Sequence, residues 1–155
     1  MPLEEVMRDT TALGGLALYG IVALLFLALG HGNVFAQLVI GMVLCYAVVS
    51  LLRLLFFRTR PDRQKYGGFF TKIDAGSFPS MHTTRAVVLA ILLAQFFAAP
   101  LISGLLVLGV LAVAVTRVLL HRHYATDVIG GIVLGAIIGW LTVIVTPMMR
   151  AAAGF

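Results

Sequence analysis

Residues 116–127 read TRVLLHRHYATD, and the fold turns on where that run is placed. It separates two apolar stretches, 101–119 before it and 126–145 after it. Each is close to the roughly 20 mostly apolar residues that a helix needs to cross a bilayer. At this junction stand Arg117, His121, Arg122, His123 and Asp127, the last of these four residues beyond His123. Charge is expensive inside hydrocarbon, so such a cluster belongs at a membrane edge. An arginine, a histidine and an aspartate held there form an apparatus for attacking a phosphate ester.

Composition supports the membrane reading. The chain has 155 residues, the length of one domain, with 61% hydrophobic and 11% charged residues and a mean hydropathy of +1.09. Soluble domains carry about a quarter charged residues. The net charge of +5 rests on few side chains and is strongly localised. It reads as a field for anionic lipid head groups or a phosphorylated substrate, not as nucleic-acid affinity. The single cysteine, Cys45, lies mid-way through an apolar run and reads as a small buried hydrophobe. One cysteine excludes an internal disulfide and any cysteine-pair metal motif. Glu4, Glu5, Arg8 and Asp9 make the start unlike the basic end of a secretory signal and suit an interfacial amphipathic turn.

Taken in order, the apolar stretches predict about five spans: 13–29, 34–57, 81–99, 101–119 and 126–145. Gly30-His31-Gly32-Asn33 turns the chain after the first, Pro100 after the third, and Pro147 is expected to stop the fifth. Gly131, Gly135 and Gly139 form a small-residue stripe for close helix packing in lipid. Residues 58–81 are the one long polar section, carrying Arg58, Arg60, Arg63, Lys65 and Lys72. A connection of that length is more often functional than not. Phe69, Phe70 and Phe78 are candidate interfacial anchors within it. Ser80 is a favoured cap for the helix that follows. The fold expected is therefore all-α, a polytopic transmembrane helical bundle forming one membrane-embedded domain over residues 1–155.

An odd number of spans sorts the polar residues. Passes one and two return Arg53 and Arg60 to the side of the N-terminus; passes three and four deliver Arg117 to Asp127 there; Ser80 and His82 open the third helix on that side. Ten of the eleven Lys and Arg residues, all but Arg150, fall on this face. The convergent set is Arg53, Arg60, Ser80, His82, Arg117, His123 and Asp127. Several guanidiniums suggest an oxyanion with multiple negative oxygens, because the Arg fork pairs bidentately with phosphate. A histidine near an aspartate gains a fixed tautomer and basicity. A second histidine supplies a leaving-group proton. This chemistry works by positioning and charge neutralisation without a metal or other cofactor. His82, His121, His123 and Asp127 suffice in number for zinc, but Arg117 and Arg122 beside them disfavour a dication. Arg58, Arg63, Lys65, Lys72 and Arg122 read as ordinary positive membrane-face residues, and Arg85 is left open between the two roles.

These residues resemble the three-part signature of the type 2 phosphatidic acid phosphatase (PAP2) superfamily. The first part is Arg53 followed by Arg60-Pro61, the second Pro79-Ser80-Met81-His82, the third Thr116-Arg117, His123 and Asp127. The resemblance covers residues 53–145. It implies that His123 attacks phosphorus to give a phosphohistidine, that Asp127 orients it and that His82 protonates the departing oxygen. It further implies that Arg53, Arg60, Ser80, the Met81 backbone and Arg117 hold the phosphoryl oxygens without a metal. Three positions depart from the pattern: Arg53 for Lys, Thr116 for Ser and Met81 for Gly. The last matters if the backbone there needs a positive φ. The family often has six spans, so one is expected to be missing at the N-terminus.

The function expected is metal-independent hydrolysis of a lipid or isoprenoid phosphate or pyrophosphate in the bilayer. A lipid phosphotransferase of the same superfamily and a non-catalytic lipid-binding or transport protein are the alternatives. The chain is expected to be an integral protein of the cell membrane, and the charge bias of its loops favours a cytoplasmic-facing site.

Overall fold

The architecture, from a computed structural model, is described for residues 3–62 and 67–153; Arg63 and Lys65 lie outside the described residues. The elements are α1 (Leu3–Thr11), a 3-10 turn (Ala12–Gly14), α2 (Leu16–Ala28), α3 (Gly32–Leu55), α4 (Phe69–Ala75), α5 (Met81–Phe97), α6 (Pro100–Leu119) and α7 (Ala125–Ala153). Each of the five apolar stretches is a helix, and an isolated bridge between Thr59 and Gly76 is the one extended pairing among the described residues.

By length and apolarity alone α3, α6 and residues Ala125–Met148 of α7 can each cross a membrane. The α1 region and α2 bend by 46° at Gly15 and together count as a fourth, broken span. The 17 residues of α5 fall just short. It is the central helix, packed by α3, α6 and α7, and it buries Ala86, Val87, Val88, Leu89 and Leu92 in protein. Leucines and isoleucines instead face outward from its neighbours, as Leu101, Leu105, Leu108, Ile129 and Ile137 do. An inside-out distribution of this kind suits lipid as the solvent.

Tyr19, Leu38, Cys45, Val49, Val88 and Leu92 form the centre of the core, with Cys45 a fully buried free thiol. Tyr19 satisfies its hydroxyl on the Leu38 carbonyl at 3.0 Å, which removes the penalty of burying it. The glycine stripe of α7 lies on α5. A Cβ at Gly131 would meet the Ser80 carbonyl at 2.8 Å, and one at Gly135 the Thr84 carbonyl at 2.7 Å. Backbones approach this closely only where no side chain intervenes.

Three local expectations change. Pro147 does not stop the last helix, which runs on to Ala153. A proline forfeits one ladder hydrogen bond, and the Met, Arg and Ala residues that follow are strong helix formers. The polar section contains the helix α4, and its two arms are tied by Ser77 N–H donating to the Arg58 carbonyl at 2.8 Å. Phe78 is not an outward anchor: its ring packs on Gly130 of α7. Phe69, by contrast, is exposed.

Candidate active site

Four helix ends meet at one end of the bundle. The last turn of α3 brings Arg53, the start of α5 brings Ser80, Met81 and His82, the end of α6 brings Arg117, and the start of α7 brings Asp127. The turn between α6 and α7 does the decisive folding. His121 takes the left-handed conformation, φ 52, and both Arg122 N–H and His123 N–H donate to the Arg117 carbonyl at 3.2 Å. This is the usual way a helix closes its last carbonyls. It turns His123 inward, where 2% of it is exposed, and delivers Asp127 fully buried. Ser80 N–H donates to the Asp127 carbonyl at 2.9 Å, which fixes the start of α5 against the start of α7.

The histidine is held by a residue the signature does not contain. His123 Nδ1 lies 2.8 Å from the Ser77 carbonyl oxygen and 3.8 Å from Asp127 Oδ2. A carbonyl only accepts, so this geometry assigns the proton to Nδ1 and leaves the lone pair on Nε2. Asp127 is engaged elsewhere: Ser77 Oγ donates to Oδ2, Tyr124 N–H donates to Oδ2 at 2.8 Å, and Arg58 Nη1 to Oδ1 at 2.9 Å. Arg58 also donates to Thr126 Oγ1 at 2.7 Å and stacks on the Tyr124 ring at 4.1 Å. Burial pushes the His123 imidazole below the ordinary histidine range, and its contact with Asp127 partly offsets this. The ring is therefore disposed to stay neutral.

Among the arginines, Arg53 settles its two readings: it is 3% exposed and faces the interior. Its Nη1 donates to the carbonyls of Ile73 and Asp74, each at 3.3 Å, and its Nη2 to the Pro79 carbonyl at 3.0 Å. It thus clamps the loop that leads into Ser80, and its Nε is buried without a partner. Arg60 Nη2 donates to the Asp74 carbonyl at 2.6 Å. Arg117 reaches Thr11 Oγ1 of α1 at 3.2 Å and also keeps a buried, unpartnered Nε. Arg60 and Arg117 line a cavity of about 550 Å³ with Met7, Thr11, Leu120 and His121. His82 has Arg117, Arg85, His123 and Arg60 as its charge neighbours.

Met81 is the first residue of α5 and has no left-handed backbone; Ala98 and His121 are the non-glycine residues with positive φ among those described. Methionine is therefore compatible with the turn and keeps its N–H, while its side chain joins the core. Ser80 stands at the cap position but makes no side-chain cap bond; its Oγ accepts from Thr83 Oγ1 at 3.0 Å. The first N–H groups of α5 are thus not covered by that hydroxyl. Among the described residues no three His, Cys, Asp or Glu side chains gather in a metal-binding group.

Sequence reasoning missed Ser77 and left Arg58 as a face residue. Ser77 holds the ring through a main-chain carbonyl that every residue type has, and its hydroxyl meets Asp127 from 50 positions away, so no local pattern in the sequence marks it. Arg58 sits among other cations, and only the fold selects the one that reaches Asp127.

The sequence pattern of the PAP2 superfamily matches residues 34–150, which takes in all four helix ends of this site. The chain belongs to the PAP2 superfamily. A curated relative, the decaprenylphosphoryl-5-phosphoribose phosphatase of Mycobacterium tuberculosis, is 33% identical over 99 residues, 64% of this chain and 54% of that protein. Undecaprenyl-diphosphatase BcrC of Bacillus subtilis is 33% identical over 111 residues, 71% of this chain and 54% of that protein. The chain spans about half the length of these curated relatives. The crystal structure of Aquifex aeolicus LpxE superposes with a TM-score of 0.77 at 20% identity, covering 92% of this chain and 87% of that one. At that identity the likeness shows the fold alone, the all-helical arrangement described above.

Proposed function

We propose that the chain is a membrane-embedded phosphatase of a lipid or isoprenoid phosphate or diphosphate, working through a phosphohistidine without a metal. One observation carries the reading: a buried imidazole whose Nδ1 is pinned to the Ser77 carbonyl lies among buried guanidiniums. Among the described residues Arg53 and Arg117 have no carboxylate partner, and each keeps an unpartnered Nε. A phosphoryl group supplies the charge and the acceptors they lack. The names of the two curated relatives, a phosphatase and a diphosphatase of polyprenyl lipids, support the substrate class.

In the reaction proposed, His123 Nε2 attacks phosphorus, and the bond to the lipid-side oxygen breaks with its electron pair. His82, held as the imidazolium by the substrate's charge, gives that oxygen a proton. Arg60, Arg117, Arg53 Nε, Ser80 and the Met81 N–H stabilise the equatorial oxygens. Asp127 offsets the positive charge that develops on the phosphorylated ring. Water then attacks phosphorus, His82 takes the water's proton, the P–N bond breaks, and inorganic phosphate leaves with His123 restored. The chain acts as one membrane-embedded unit, its site on the cytoplasmic side of the cell membrane, a placement supported by the loop charge bias.

The test is phosphate release by the detergent-purified protein in EDTA, across phosphatidate, phosphatidylglycerol phosphate and undecaprenyl diphosphate, with rapid quenching to trap labelled protein. An acid-labile, alkali-stable phosphoprotein absent from His123→Ala is the expected result. Release that survives His123→Ala overturns the proposal.

A further inference from the structure

Arg85 has no place in the mechanism above, yet it is 4% exposed on the central helix. Its Nη1 donates to the Tyr46 hydroxyl at 2.8 Å, with the guanidinium 5.6 Å from the Tyr46 ring centre. Its Nε is buried with no hydrogen-bond partner, and it forms no ion pair with a carboxylate among the described residues. Removing a guanidinium from water and pairing it only with a neutral phenol is costly unless another anion completes the arrangement. A purely structural role would be served by a neutral side chain of similar volume.

Its position says which anion. Arg85 is three residues after His82 on α5, so it shares that face of the helix and lies about 4.5 Å further from the site's mouth. Tyr46 stands seven residues before Arg53 on α3, two turns deeper on the same face. Arg85 and Tyr46 therefore lie below the ring of groups assigned to the attacked phosphoryl group, with His82 between. That is the leaving-group side. Tyr46 is 38% exposed at the bundle surface, which gives a chain attached there an exit to lipid. In a monophosphate ester the atoms on this side are the alcohol carbons, which need no cation. In a diphosphate ester they are the second phosphoryl group.

We infer that Arg85, braced by Tyr46, binds the lipid-linked phosphoryl group of a diphosphate and makes the enzyme selective for lipid diphosphates over lipid monophosphates. This rests on the hydrolase reading above and narrows its substrate. His123 Nε2 attacks the distal phosphorus, the bond from that phosphorus to the bridging oxygen breaks, and the pair stays on the bridging oxygen. The departing species is the lipid monophosphate, whose charge Arg85 balances. Arg85 also makes the buried cations Arg53, Arg85 and Arg117 a better match for a diphosphate than for a single phosphoryl group.

The experiment compares kcat/KM for undecaprenyl diphosphate and phosphatidate in wild type, Arg85→Lys, Arg85→Met and Tyr46→Phe, all as full-length protein in detergent. Arg85→Met should lose 30-fold or more on the diphosphate and under threefold on phosphatidate, with Arg85→Lys recovering part of the difference. Tyr46→Phe keeps the guanidinium and loosens it, so it should lower the diphosphate preference several-fold; it also serves if Arg85→Met does not accumulate. Equal losses on both substrates, or an unchanged preference in Tyr46→Phe and Arg85→Lys, overturn the inference alone. Wild-type protein that releases phosphate from neither lipid overturns the hydrolase reading and this inference with it.

Discussion

Asp127→Asn separates two ways of holding the proposed nucleophile. If the carboxylate fixes the tautomer of His123, its replacement by an amide presents an N–H to the ring and selects the wrong tautomer, which in a serine-protease triad costs about 10⁴ in kcat. Here the Nδ1 proton rests on the Ser77 carbonyl at 2.8 Å, with the carboxylate at 3.8 Å, so the amide should leave the tautomer alone. What it removes is the negative charge that offsets the phosphorylated ring and one acceptor oxygen out of two, shared by three donors: Ser77 Oγ, Tyr124 N–H and Arg58 Nη1. A hydrogen bond to a charged group is worth about 1.5–3 kcal/mol. At about 1.36 kcal/mol per decade that is roughly 10- to 150-fold if the whole loss falls on the transition state. Arg58 is partly exposed and can turn to water, and the Ser77 hydroxyl can rotate to accept from the amide, so the lower part of the range is expected. The assay is phosphate release from undecaprenyl diphosphate in detergent, with thermal unfolding of both proteins as the control for folding. A loss near 10⁴ with the melting temperature unchanged would refute the Ser77 anchor.

Two further expectations follow from the same structure. Gly135→Ala should lower the melting temperature by the equivalent of about 1–3 kcal/mol, the usual cost of overpacking, since its Cβ would lie 2.7 Å from the Thr84 carbonyl and from Val87 Cβ. Gly104→Ala, with nothing within 4 Å, should be neutral or stabilising by up to about 1 kcal/mol; similar losses at both sites would refute the close α5–α7 contact. For pH, the proposed mechanism needs the neutral ring of His123, and burial lowers its pKa, so the proposed nucleophile should stay competent as pH falls past the ordinary histidine value of about 6.5. The acid limb of kcat/KM, corrected for the substrate's own ionisation by phosphorus NMR, should therefore lie below that value, and a limb at or above it contradicts the buried ring.

Composition and spacing alone carried the all-helical membrane class, the five apolar helices and the sorting of Arg53, Arg60, Ser80, His82, Arg117, His123 and Asp127 to one face. They could do so because hydropathy is additive along the chain and an odd number of passes sets which ends coincide. Tertiary structure decided what depends on distance between parts remote in sequence. Ser77 holds His123 through a main-chain carbonyl, Arg58 rather than any other cation reaches Asp127, and Arg53 spends its Nη groups on loop carbonyls. Arg85 was ambiguous as a letter and became informative only when burial left it with a phenol for company. Hydrogen-bond choice is made by ångström-scale geometry among competing partners, and a one-dimensional pattern does not encode it.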